Sequence, residues 1–293
     1  MSDKYEFIDG EKENYPIARM CSWSKVSRSG FYSWRSRPSS ATTERRATLK
    51  TIIRRVFEDA DQTYGYRRVH AQLARLDVPA GPELVRALMR ELGLVPCQPR
   101  PWRLTTVSDA AAPDTPDLVA RDFTADAPGR KLVGDITYVA TWQGFLYLAT
   151  VIDCHTRAVI GWATADHMKT TLISDAIDMA ARNTDLLEGC IFHSDKGSQY
   201  TSREFRGKLA EKRIRPSHGR TGVCWDNSLA ESFFGALKNE LVHRTTFPTR
   251  KHAHRSIARY IEVFYNRRRL HSALGYRTPA EAHEAYLERQ FAA

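Results

Sequence analysis

A chain of 293 residues that is 42% hydrophobic and 27% charged has the composition of a globular protein, long enough for one large core or two domains. It has no apolar run of about 18 residues and its first 13 residues are too polar for a secretory signal, so we expect a soluble, cytoplasmic protein without a membrane segment. The five cysteines are scattered without a CxxC pair, which argues against a disulfide framework or a zinc knuckle.

The net charge of +10 is concentrated in one part of the chain. Residues 203–277 carry 17 Lys and Arg against 6 Asp and Glu, a surplus of 11, so the remainder is close to neutral. A localised basic surface with aromatic residues nearby is typical of proteins that bind nucleic acid, because phosphates dominate the affinity. A solvated basic face is the simpler alternative on charge alone.

The N-terminal third reads as helical. Residues 1–43 combine a polar leader with a short helical element over 14–37. Residues 44–95 predict three helices, the first with a stripe at the i, i+3, i+4, i+7, i+8 spacing formed by Leu49, Ile52, Ile53, Val56 and Phe57. Such a trio suits a helix-turn-helix-like DNA-binding domain, although helical bundles with other roles are as common.

The middle of the chain changes from linker to sheet. Residues 96–130 contain six prolines and no periodicity, which predicts a linker. Residues 131–245 then predict elements in the order βββαβαβα, beginning with a meander of three strands. This order indicates an α/β fold of the ribonuclease H-like class, with a mixed five-stranded sheet and flanking helices. Residues 246–293 form a basic helical extension, expected to pack on this core.

Three acidic residues stand at informative positions in the predicted core. Asp135 lies on the first, central strand, Asp195 ends the fourth strand, and Glu231 follows after 35 intervening residues at the border of a helical apolar stripe. Carboxylates converging in this way hold two divalent cations over a phosphodiester. A single such acid is usually a solvated charge or a turn former. Asp153 also ends a strand, but an ordinary hairpin turn follows it, so it is left outside the triad.

Further polar residues are candidates for contacts around this site. Lys238 lies seven residues after Glu231, on the same helical face, and is a candidate for a terminal DNA phosphate. Gln199 and Asn227 are candidates for supporting the acids or touching DNA. The basic C-terminal helix is expected to offer three arginines to phosphates, namely Arg267, Arg268 and Arg269.

Several segments of the chain resemble those of one protein family. HSDKGSQY, WDNSLAESFFGALKNE and YNRRRLHSALGYRTPAE are similar to signatures of the insertion-sequence-3 family of bacterial transposases, members of the retroviral integrase superfamily with a DD(35)E core. RMCSWSKVSRSGFYSW resembles the opening of that family's second-frame (OrfB-type) protein, and YGYRRVHAQL resembles its helix-turn-helix-like region. Two departures stand out: Leu132 replaces the usual Trp before the first acid, and no leucine-zipper heptad run is present.

The resemblance implies a reaction, a cofactor and partners. Asp135, Asp195 and Glu231 would bind two Mg²⁺ or Mn²⁺ ions, cleave at the element ends and transfer the freed 3′-hydroxyl to another phosphodiester. The implied partners are the terminal inverted repeats, target DNA, further copies of the chain on DNA and the first-frame protein of the same element, in the bacterial cytoplasm at the nucleoid. Two alternatives are a structure-selective nuclease on the same fold and a non-catalytic DNA-binding regulator.

Overall fold

A computed structural model describes residues 1–38, 40–97, 115–219 and 224–292. It shows an α/β protein whose five-stranded sheet is flanked by helices and preceded by a helical region. The strands are β1 (Lys131–Thr141), β2 (Gly144–Asp153), β3 (Val159–Ala165), β4 (Ile191–Ser194) and β5 (Arg215–His218). Their spatial order is β3-β2-β1-β4-β5, with β1 in the centre.

The sheet is mixed, as the sequence predicted. The first three strands form the antiparallel meander, whereas β4 and β5 run parallel to β1. Parallel neighbours need crossover connections, and helices supply them here. These helices are α7 (Thr170–Asn183), the short α8 (Ser198–Thr201) and α9 (Arg203–Glu211). The mixed five-stranded sheet with flanking helices of the predicted ribonuclease H-like core is thereby confirmed.

The two faces of the sheet pack on different elements. One face buries the stripe of α7, including Leu172, Ile173 and Ile177, together with Phe192 of β4. The other face packs on α10 (Ser228–Glu240) and α11 (Arg250–Arg259), which continues into a π-helical turn over Tyr260–Tyr265. The C-terminal extension therefore lies against the core, as expected.

The predicted trio of helices is present as α4 (Ala41–Asp59), α5 (Tyr66–Arg75) and α6 (Pro82–Glu91). Most of the predicted stripe is buried, and it belongs to the same apolar cluster as α10 and the sheet. Tyr64, just before α5, donates its hydroxyl hydrogen to the carbonyl oxygen of Arg268 and accepts from the amide of Leu270, each at 2.9 Å. The helical region therefore packs directly on the core and the C-terminal extension.

A buried ion pair strengthens this contact. The Arg269 guanidinium donates to both carboxylate oxygens of Glu240 on α10, at 2.8 and 2.7 Å, and the Tyr260 hydroxyl donates to the same group at 2.8 Å. Arg68 of α5 approaches Glu240 to 3.6 Å. In the last helix, α12 (Pro279–Phe291), Glu281 forms a further ion pair with Arg75 of α5.

The first residues are more ordered than their polarity suggested. Residues expected to be a leader form α1 (Ser2–Gly10), which packs with α2 (Ile17–Trp23) and α3 (Arg28–Ser36). Ile8 is fully buried in their small apolar cluster, with Phe31 and Met20. One buried isoleucine among polar residues anchors α1, which composition alone does not reveal.

The second half of the predicted linker packs on the core, unlike a free linker. Residues 98–114 lie outside the described part of the chain, but Val119 and Ala127 are buried, and the amide of Leu118 donates to the Ser217 hydroxyl of β5 at 2.9 Å. Residues from about 117 onward therefore pack on the core. Within the described ranges, none of the helices has the length and apolar character needed to cross a bilayer.

Candidate active site

Asp135 and Asp195 lie at matching positions on neighbouring parallel strands. Leu132 and Val133 of β1 pair with Phe192 and His193 of β4, and two residues further along this register come the two acids. A glycine permits this approach, because a Cβ atom on Gly134 would collide with the ring of Phe192. The two acids are thus side by side at the point where β4 ends.

Glu231 comes to the same region from α10. Ala230, Phe233, Phe234 and Leu237 of this helix are buried against the sheet, while Glu231 is exposed at the edge of their stripe. The negative charge of Glu231 is close enough to affect the pKa of Asp135. Burial and the negative charges of Asp195 and Glu231 together raise the pKa of the half-buried Asp135 carboxyl to about 8, although the hydrogen bond from the Ile136 amide acts to lower the pKa.

Among the described residues, one backbone amide donates to each aspartate of the site. The amide of Ile136 donates to Oδ1 of Asp135 at 2.7 Å, and the amide of Gly197 donates to Oδ1 of Asp195 at 3.0 Å. No hydrogen bond from the described residues reaches Oδ2 of either acid. Across the same described residues, no three Asp, Glu, His or Cys side chains lie close enough together to hold a metal ion. The three acids therefore lie in one region but do not form a complete metal-binding site among the described residues.

Lys238 and Asn227 flank the acids. Half-buried Lys238 lowers the pKa of Asp135, opposing the two negative neighbours, and its ammonium lies 5.8 Å from the ring centre of Tyr138. The Asn227 amide donates to the carbonyl oxygen of Gly134 at 3.3 Å, which ties the start of α10 to β1 beside Asp135. Gln199 is half-buried on α8, four residues after Asp195.

The three arginines of the basic helix do not share one surface. Arg267 and Arg268 are exposed, but Arg269 is 7% exposed and paired with Glu240. The expectation that Arg269 faces DNA phosphates is therefore wrong in this structure. The bonds from the Asn266 amide to Ile261 and from the Arg269 amide to Phe264 span five residues, and this wider turn changes which face the following residues present.

Asp153 has a structural role in the turn between β2 and β3. Its buried carboxylate accepts from the amides of Gly129, His155 and Thr156 and from the Thr156 hydroxyl, at 2.7 to 3.1 Å. These bonds hold the β2–β3 turn and fasten the segment before β1. The geometry agrees with leaving Asp153 outside the acid group.

The chain is similar to known proteins along most of its length. Models of the integrase core domain match residues 125–224 and 212–279, and a model of an HTH-like domain matches residues 44–102. The transposase InsF for insertion sequence IS3A of Escherichia coli K12 is 35% identical over 280 residues, which cover 95% of this chain and 97% of that protein. The chain belongs to the IS3 family of transposases.

The chain is also similar to a second insertion-element protein and to a solved integrase core. The insertion element IS600 uncharacterized 31 kDa protein of Shigella sonnei is 38% identical over 267 residues, covering 91% of this chain and 98% of that protein. The HTLV-2 integrase catalytic core domain in complex with magnesium aligns with a TM-score of 0.43 and 16% identity, covering 54% of this chain and 99% of that chain. The chain is an insertion-sequence DNA transposase with an integrase core and an HTH-like domain.

The transposase also contains polar residues near the acids that sequence reasoning missed. His193 of β4 is fully buried; its Nδ1 lies 2.8 Å from the Ser217 hydroxyl and its Nε2 lies 2.7 Å from the carbonyl oxygen of Asp226. It therefore links the strand that leads to Asp195 with the segment that leads to Glu231. A histidine within the apolar strand IFHS was the available signal.

Tyr200 is a second missed residue. Its ring is buried against Phe192, and its hydroxyl finds no hydrogen-bond partner among the described residues. Burial raises the pKa of Tyr200 well above its usual value, and the charges of Asp135 and Asp195 add to the effect, so the phenol lies near both acids.

Proposed function

We propose that Asp135, Asp195 and Glu231 are the catalytic acids of this transposase and together hold two divalent cations, Mg²⁺ or Mn²⁺. The observation that carries the proposal is the matched placement of Asp135 and Asp195 on adjacent parallel strands, with the charge of Glu231 felt at Asp135. Separate elements supply the three carboxylates, so bringing them to one metal site would depend on the fold and not on one local turn.

The donor set fits a hard cation. Mg²⁺ and Mn²⁺ prefer carboxylate oxygens, and Oδ2 of Asp135 and of Asp195 accepts no bond from the described residues. Repulsion from the negative charges of Asp195 and Glu231 raises the pKa of Asp135. A bound cation would offset this repulsion and favour the ionised carboxylates. Exposed Asp195 and Glu231 have the freedom to turn toward such an ion, whereas Asp135 in the central strand is the fixed member.

The ions would supply Lewis-acid stabilisation to the attacking and leaving oxygens of an in-line displacement. The protein's own residues orient the DNA. Lys238 is suited to bind a phosphate at the DNA end beside Asp135. The exposed Arg267 and Arg268 are suited to bind phosphates further along the DNA strand. Asn227 holds β1 in place through Gly134, and Gln199 borders the turn after Asp195.

The proposed reaction has two phosphodiester steps. Hydrolysis at an element end frees a 3′-hydroxyl, which then displaces a second phosphodiester oxygen, so that one P–O bond forms as another breaks. The partners are the terminal inverted repeats and the target DNA, with several copies of the chain on DNA and the first-frame protein of the same element. The chain is proposed to act in the bacterial cytoplasm at the nucleoid.

The test is a strand-transfer assay with the purified chain, pre-cut element ends and target DNA in Mg²⁺ or Mn²⁺. Wild-type protein should give joined products, and Asp195→Asn should lower their rate by orders of magnitude because a metal carboxylate is lost. Glu188→Gln is the matched control, since this exposed acid precedes the opposite end of β4, and its rate should stay within about threefold of wild type.

Three outcomes would count against the proposal. Hydrolysed ends without joined products would indicate a nuclease, and products that persist in Asp195→Asn would remove that acid from catalysis. Binding of the ends without either product in both metals would favour the non-catalytic regulator.

A further inference from the structure

A cleft of about 480 Å³ lies beside the acids, between the distal half of β1 and the end of α10. Tyr138 and Trp142 form one side, Lys238 and His243 the other, and Phe247 lies at the end. β2 pairs with β1 along this half, but β4 pairs with β1 only over residues 131–133, so no strand of the described residues covers the β4-facing edge of β1 here. The volume lies within the range of about 300 to 1,000 Å³ typical of small-ligand sites.

The aromatic residues here are unusually exposed. Tyr138 is 55%, Trp142 77% and Phe145 48% exposed, and the rings of Tyr138 and Phe145 lie 4.8 Å apart. Their position is fixed, because the Trp142 amide donates to the carbonyl oxygen of Phe247 at 3.1 Å and the Thr141 hydroxyl closes the hairpin onto Gly144 at 2.6 Å. A contiguous exposed apolar surface on a rigid turn marks a binding site.

The charges around the cleft indicate what it binds. Of the described residues that line it, none is acidic, and Lys238 and His243 supply cationic or polar nitrogen. Lys238 lies near both the Tyr138 ring and Asp135, so it belongs to the cleft and to the acid site. Tyr138 is three residues beyond Asp135 on β1, so their Cα atoms lie about 10 Å apart and their side chains leave opposite faces of the strand. Lys238, which is near both, connects the two sides around the β1 edge that β4 does not cover.

We infer that this cleft receives an unpaired DNA base, stacked on Trp142 and Tyr138, from the strand whose phosphodiester lies at the acids. The inference rests on the function proposed above and adds to it a single-stranded feature of the substrate. Aromatic faces beside a cation are how proteins hold unpaired bases without reading their sequence. At about 3.4 Å per nucleotide along a strand, the base lies within about three nucleotides of the reacting phosphate.

A binding assay tests this without any catalysis. The full chain is titrated in EDTA into two oligonucleotides: a blunt 20-base-pair duplex, and the same duplex with a three-nucleotide single-stranded extension containing 2-aminopurine. Wild-type protein should bind the extended duplex more tightly and quench the 2-aminopurine. Trp142→Ala should lower the affinity for the extended duplex by roughly 5- to 150-fold, the value of one stacked base, and change the blunt duplex less than twofold. Trp142→Phe should keep most of the affinity and the quenching.

The matched control is Trp23→Ala, a similarly exposed tryptophan on α2, which should bind both duplexes like wild type. Equal losses on both duplexes, or no loss for Trp142→Ala, would overturn the inference. Altered sedimentation of Trp142→Ala with unchanged DNA affinity would also overturn it, because the surface would then join copies of the chain. Since no bond is broken in EDTA, failure of the catalytic proposal would leave these readings interpretable.

Discussion

Replacing Asp135 by asparagine should make the metal-free protein more stable while it abolishes activity. Burial and two like charges raise the pKa of Asp135 from its usual 3.8 to about 8. Between these values the folded chain binds one more proton than the unfolded chain, so the free energy of unfolding falls as the pH rises from about 4 to about 8. Asparagine has a similar shape and no charge, so the variant should not lose free energy of unfolding as the pH rises.

The size of the gain follows from the same pKa. Each pKa unit corresponds to ~1.36 kcal/mol, so the stabilisation of Asp135→Asn should grow from near zero at pH 4 to about 4 kcal/mol at pH 7. On the proposed function the wild type binds Mg²⁺ only when folded, so Mg²⁺ should raise the stability of the wild type and have little effect on the variant.

Urea unfolding at pH 4, 5, 6 and 7, in EDTA and then in Mg²⁺, measures both effects. Asp153→Asn is the control of opposite sign. Its buried carboxylate accepts four hydrogen bonds, so replacing one acceptor oxygen by an NH₂ group should cost about 1 to 3 kcal/mol at pH 7. A destabilised Asp135→Asn, or a difference from wild type that does not change with pH, would refute the electrostatic account of the site.

Three further changes test the fold and the DNA surface. Glu240→Ala should cost about 3 to 5 kcal/mol in urea unfolding, because it leaves the Arg269 guanidinium buried without its partner, and replacing both residues by Met should recover most of the loss. Gly161→Ala should cost about 1 to 3 kcal/mol, since a Cβ atom would meet the backbone of α7, whereas Gly207→Ala on exposed α9 should gain about 0.5 to 1 kcal/mol; equal effects would contradict the packing argument. Arg268→Gln should reduce the slope of log affinity against log salt by about 0.9 if its guanidinium meets one phosphate, and an unchanged slope would remove it from the interface.

The elements that sequence predicted well are those with a regular apolar period. The β-rich run of β1, the short apolar run of β4 that leads to Asp195 and the stripe of α10 are visible in the sequence, and they predict that Asp135, Asp195 and Glu231 lie in one region. Features decided by a single distant partner were not predictable. Arg269 lies in a run of three arginines, and only Glu240, 29 residues earlier, draws it into the interior.

The expected leader and the expected linker were both predicted with too little structure, again because a few distant contacts decide their order. Ile8 anchors α1, and Val119 fastens part of the expected linker, although the segments around them are polar or rich in proline. In each case one or two apolar contacts order a stretch that has no period of its own. The exposure of Trp142 was equally invisible, because an aromatic residue in a hairpin turn is usually expected to fold inward.

Helix α10 has Glu231, a proposed catalytic acid, near its start and Glu240 at its last residue. Glu240 is nine positions after Glu231, a distance of about 13 Å along the helix axis. Arg68 of the HTH-like domain lies 3.6 Å from Glu240, so on the proposed function a displacement of that domain would either tilt this helix, shifting Glu231 with it, or break the ion pair. DNA binding by that domain and the position of Glu231 would then be coupled through a single helix.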